Sequence, residues 1–163
     1  MDQIYHKAVN EIKGIMATKT IHKAYKFRLK TNGAHAEQLA RIAGVCRLVW
    51  YLYLEQRTLV YSSSRKFMNS YNQLPEVTQL RKAYGWIEDV PSQVLQQKGR
   101  SHDSFRFPQG FKMDNRRIFL PKIGWIGFFK SREIKGTIRH ITLSRYGMHW
   151  YVSVTCEVDI PIV

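Results

Sequence analysis

Acid is what this sequence most lacks. Its 163 residues hold 12 Asp and Glu against 26 Lys and Arg, a formal net charge of +14 with a pI near 10.0. A surplus of that size points to a nucleic-acid partner. The cations sit among aromatic, strand-like stretches rather than along an amphipathic helix, which argues against a membrane-surface binder. Cysteine is nearly absent too. Cys46 and Cys156 lie far apart among apolar neighbours and read as small buried hydrophobes, not a disulfide. With no CxxC pair and six scattered histidines, a zinc site has no support. No apolar run approaches the roughly 20 residues that span a bilayer. The N-terminus has no secretory pattern, so a cytoplasmic location is expected. The few acids are dispersed: Glu88 and Asp89 precede Pro91, Asp114 falls in a turn, and Glu157 and Asp159 alternate on one strand end. Two-metal hydrolysis needs clustered carboxylates, so no catalytic residue, metal or cofactor is expected in this chain.

What is present is concentrated late. Between Lys98 and His149 stand twelve Lys and Arg against Asp103, Asp114 and Glu133, nine of the fourteen net charges. Hydrophobic residues at 44% and aromatics at 13% supply a real core. Alternating strands that carry cations and rings suit a surface that holds a phosphate backbone and stacks bases.

The pattern along the chain gives an α+β order. Residues 1–20 read as an N-terminal extension and 21–31 as a first strand, with Lys26, Arg28 and Lys30 on one face and Tyr25, Phe27 and Leu29 on the other. Thr31 or Asn32 is placed to cap a helix. Leu39, Ile42, Ala43, Cys46, Val49, Trp50, Tyr53 and Val60 recur at spacings of three and four, which predicts one long helix over 35–61, broken by the serines at 62–64. A second helical portion is expected to break near Pro75, leaving a short helix over 76–84. Another helix starts at Pro91 and stops near Lys98. Strands follow at 104–108, 111–113, 118–121, 125–129, 136–144 and 148–158, with turns at 114–117 and 145–147. That spacing predicts a small β-barrel, completed by the first strand, with residues 32–100 inserted as a helical lobe, 101–159 as the remaining strands and 160–163 as a tail.

Several segments carry a resemblance: KAYKFRLKTN at 23–32, RLVWYLYLEQR at 47–57, LPEVTQLRKAYGWIEDVPSQVLQQ at 74–97, and the combination FRFPQG, LPKIGWI and WYVS within 104–158. Together they resemble the TnpB/OrfB family encoded by insertion sequences, relatives of the type V CRISPR nucleases. The resemblance implies a wedge-type β-barrel with an inserted helical lobe, a guide RNA and DNA as partners, and a RuvC-like nuclease with magnesium in a later domain. Two departures matter. The helix at VLQQ is short, so about 25 to 30 residues of the family pattern are expected to be missing after Gln97 and the helical lobe to be shortened. The chain also ends about where the nuclease domain of relatives begins, so cleavage by this chain alone is not expected.

Candidate phosphate contacts are Lys26, Arg28, Arg106, Lys112, Arg116, Arg117, Lys122, Lys130, Arg132, Arg139 and Arg145, with Gln109 placed to reach a base edge. Tyr25, Phe107, Trp125, Tyr146 and Trp150 are either stacking platforms or core. By the resemblance, Arg47, Tyr51 and Arg57 on the long helix are candidate readers of a DNA motif. The expected function is binding of guide RNA and DNA, with no small-molecule substrate and no membrane. The competing readings are a split endonuclease completed by another chain and a nuclease-dead, RNA-guided repressor.

Overall fold

A computed structural model of the protein describes residues 2–15, 17–95 and 103–162. An N-terminal helix, α1 (Asp2–Ile15), leads into a 13-residue strand, β1 (Thr18–Lys30). Period two governs β1, where Tyr25, Phe27 and Leu29 are buried and the residues between them exposed. Asn32 ends the strand and caps the next element, its side chain accepting from the His35 N–H at 2.7 Å. That helix, α2 (Gly33–Ser64), is unbroken for 32 residues and stops where Arg65 turns left-handed at φ 58°. Only its first half is well buried, through Leu39, Ile42, Ala43, Val45 and Val49.

The expected break at Pro75 does not occur, because Pro75 lies inside α3 (Ser70–Ala83). A proline removes one backbone donor, and here other bonds outweigh that loss. Asn69 caps the helix at 3.0 Å. Gln73, fully buried, donates to the Tyr53 carbonyl at 3.0 Å and to Gln56 at 2.8 Å, and accepts from Arg57 Nε at 2.9 Å. A 3-10 turn (Gly85–Ile87) and the short α4 (Ser92–Leu95) follow. The expected course of that helix through Gln97 to Lys98 lies outside the described residues.

Six more strands complete the sheet: β2 (Ser104–Phe107), β3 (Lys112–Met113), β4 (Arg117–Leu120), β5 (Gly124–Phe128), β6 (Thr137–Tyr146) and β7 (His149–Pro161). The order across the sheet is β2-β6-β7-β1-β5-β4-β3, and every pairing is antiparallel. The fold is therefore α+β, as expected, but the expected barrel is not found. Closure requires the two edge strands to pair. Here the edges are β2 with four residues and β3 with two, and no ladder joins them among the described residues. The first strand does pair with the late ones. It lies against β7 from Thr18 to Arg28 and against β5 only at Leu29 and Lys30.

One face of this open sheet is the core. Phe27, Phe107, Ile118, Leu120, Ile126, Phe128, Ile141, Leu143, Trp150, Val152 and Val154 form one buried cluster with the first half of α2. Cys156 is buried in it and Cys46 half-buried, both as free thiols. Burial pushes the Cys46 thiol up to about 12. Among the described residues no helix is long and apolar enough to cross a membrane.

Candidate nucleic-acid interface

Because β1 alternates, burying Tyr25, Phe27 and Leu29 turns Lys26, Arg28 and Lys30 to the opposite face of the sheet. Register extends that face across neighbouring strands, since residues directly opposite each other share a side. Lys26 opposes Ser153, Ser153 opposes Thr142, and Thr142 opposes Arg106, so a cation ends the row on each side of two hydroxyls. The adjacent row runs Arg28, Tyr151, Ser144, Ser104. Lys26, Arg106, Ser104, Thr142, Ser144 and Ser153 of these rows line a polar depression of about 550 Å³ that also includes His140, Arg145 and Tyr146. Lys26 Nζ lies 3.9 Å from the centroid of the Tyr146 ring and 5.0 Å from that of Tyr151. The His140 ring is held below its ordinary pKa by desolvation first, then by Arg106 and His22.

The other wing of the same face combines cations with rings. Lys30 opposes Gly127, which opposes Arg117. A Cβ at Gly127 would come 3.4 Å from Cδ of Lys30, so glycine leaves room for the lysine stem to lie across the strand. The next row is Trp125, Phe119, Lys112, with the two ring centroids 5.6 Å apart. Arg117 lies 4.8 Å from the Trp125 centroid, and Arg28 and Lys30 both approach the exposed ring of Phe129. Hydroxyls, ammoniums and guanidiniums all donate, so this face suits an anion, and its rings offer flat apolar platforms.

The structure brings together Lys26, Arg28, Arg106, Lys112 and Arg117 on this one face, Arg117 also paired with Asp114 at 2.9 Å at the edge, with Arg145 at its rim. It separates the rest. Arg145 and Arg47 both pair with Asp103, joining β6, α2 and the residue before β2. Arg57 is engaged with buried Gln73. Lys130 is held by Asn115 and Glu133 at 2.9 Å each, and Arg139 is forked onto Glu157 at 2.6 and 2.7 Å. Lys122 donates to the Glu88 carbonyl. Arg132 lies over Tyr25, a core-facing residue, and so belongs to the other side of β1. Tyr51 is exposed on α2, and Gln109 and Arg116 are exposed in turns. Of the candidate stacking rings, Tyr25, Phe107 and Trp150 are core, whereas Trp125 and Tyr146 are exposed. Sequence reasoning missed the hydroxyl floor of Thr142, Ser144 and Ser153 and the platform at Phe129. The alternation His140-Thr142-Ser144 and Tyr151-Ser153-Thr155 is its signal.

A helix-turn-helix domain model of the OrfB/IS605 family matches residues 16–66. The described residues among them form one strand and one unbroken helix, β1 and α2, with no second helix after a turn. The chain is also 30% identical over 165 residues to the protein named "Putative RNA-guided DNA endonuclease InsQ" of Escherichia coli (strain K12). That match takes in 85% of this chain and 41% of the relative. The chain therefore spans less than half the length of this relative. The chain belongs to the OrfB/TnpB family of insertion-sequence proteins.

Proposed function

We propose that the chain binds nucleic acid, DNA together with a guide RNA, through the outer face of its sheet. The observation that carries this reading is register: Lys26, Arg28, Lys30, Arg106, Lys112 and Arg117 share one side, opposite the core, with Trp125, Phe129, Tyr146 and Tyr151 among them. Affinity is electrostatic first and falls with salt, while the exposed rings favour unpaired bases. Residues 32–100 act as a helical lobe inserted after β1, and binding needs neither a cofactor nor a small molecule.

The protein holds strands rather than cutting them by itself. In support, the acids of the strand region are engaged one by one: Asp103 with Arg47 and Arg145, Asp114 with Arg117, Glu133 with Lys130, and Glu157 with Arg139. Among the described residues no three His, Cys, Asp or Glu converge on a metal position.

Filter binding of a labelled single-stranded oligonucleotide over a NaCl series tests the reading. Six phosphate contacts on a single strand give a slope of about −4 in log affinity against log salt. A flat response would sink it. A second reading, a part of a split endonuclease, is favoured by the relative's name and by the 41% of its length that is matched. Magnesium-dependent cleavage of a guide-matched duplex that appears only when a second chain is added to the purified protein would support that reading instead.

A further inference from the structure

Among the described residues Asp103 is the single carboxylate lining the polar depression, and it does not stand free. Its side chain, only 16% exposed, pairs with two guanidiniums, Arg47 from α2 and Arg145 from β6. Its carbonyl accepts from the Arg145 N–H at 2.9 Å. Two guanidiniums converging on one pair of anionic oxygens is also how arginines grip phosphate. The carboxylate leaves donors unused, because Arg47 Nε is buried without a hydrogen-bond partner. Lys26 and Arg106 line the same depression as Asp103 and Arg145, with the Ser104 and Ser144 hydroxyls.

We propose that Asp103 fills a phosphate seat formed by Arg47 and Arg145, and that a phosphodiester of the bound strand takes its place. This rests on the nucleic-acid reading above. Both anions present two oxygens to the same donors, so the exchange leaves both arginines paired. A phosphodiester also arrives with its strand, whose neighbouring phosphates reach Lys26 and Arg106. In the free protein Asp103 keeps two partly buried guanidiniums from facing each other unneutralised. The same carboxylate opposes every incoming phosphate, so it holds down affinity for strands that cannot displace it.

The test compares Asp103→Asn, Arg145→Gln and the double variant in filter binding of a labelled 15-nucleotide single-stranded DNA across NaCl. Asp103→Asn is expected to bind about ten-fold tighter, the scale of one charge-assisted contact, with a slope steeper by about 0.7 to 1.4. Arg145→Gln is expected to bind more weakly with a slope shallower by about 0.7, and the double variant to lose the gain. If Asp103 were only a clip between α2 and the sheet, Asp103→Asn would bind no tighter than the parent, and that result overturns the seat. Should Asp103→Asn not melt cooperatively, Arg145→Gln decides: undiminished affinity and slope overturn the proposal. A parent protein with no salt dependence removes the nucleic-acid reading itself. A steep parent slope with no gain in Asp103→Asn removes the seat alone.

Discussion

Lys26 points its ammonium at the ring of Tyr146, Nζ to centroid 3.9 Å, across three strands of the same sheet. The ring holds the cation above a floor of hydroxyls, yet both groups are exposed, Tyr146 at 60%. An ammonium held over a ring keeps donors free for a ligand, whereas one locked to a carboxylate does not.

Replacing Lys26 by Gln therefore removes one phosphate contact without touching the core. The expected outcome is a salt slope shallower by about 0.7 on a single strand, with an unchanged melting temperature. Arg139→Gln, whose guanidinium is already forked onto Glu157, is expected to shift the slope less. Equal effects from the two would mean that position on the outer face is irrelevant.

Gln73 is the polar centre of the joint between α2 and α3. Gln73→Leu leaves the Tyr53 carbonyl, Gln56 and Arg57 without this partner in a buried place. The cost is about 1–3 kcal/mol, or roughly 2–4 °C of melting temperature per kcal/mol for a chain of this size. Differential scanning fluorimetry checks it, and a neutral result would show that the joint opens readily to water.

Gly136 begins the turn into β6 at φ +96°, and a Cβ there would lie 2.4 Å from the Glu157 carbonyl oxygen. Both the dihedral and the space exclude a side chain, so Gly136→Ala is expected to cost at least about 1–3 kcal/mol in urea denaturation. Normal stability would show that this end of the β6–β7 ladder gives way easily.

His140 supplies a pH signature. Its folded pKa lies below the ordinary 6.5, chiefly through desolvation and then through Arg106 and His22. A histidine depressed in the folded state binds fewer protons than in the unfolded one, so stability is expected to fall as pH drops through about 6.5. A bound phosphate beside it reverses the balance by favouring the imidazolium. Oligonucleotide binding is then expected to strengthen from pH 7.5 to 5.5, and His140→Asn to flatten that trend. NMR titration of the ring, free and bound, separates the two effects.

Much of the layout is legible in the sequence, and the failures have physical reasons. The period-two stretch at β1 and the spacing of three and four in α2 declare themselves because each element buries one stripe. A cap at Thr31 or Asn32 is readable from its place between them, and the structure uses Asn32. Barrel closure is not readable, because alternation says which side of a strand is wet and never which strand is its neighbour. The helix through Pro75 is hidden for a similar reason: what offsets the lost bond is Gln73, bonded to residues about 20 positions away. For the candidate interface, the residue types were visible and the allegiances were not. Nothing local tells Arg106, on the open face, from Arg139, held by Glu157, or from Arg47 and Arg145, which meet at Asp103.

The pairing of β1 with β7 has a consequence in time. Thr18 lies against Pro161, so β1 leaves the ribosome well before β7, the strand it pairs with over most of its length. Until then Tyr25 and Phe27 lack the strand that flanks them, and such distant pairing slows folding. The growing chain must therefore wait with an apolar stripe uncovered, and synthesis that stalls short of β7 leaves a product that sticks rather than one that folds in part.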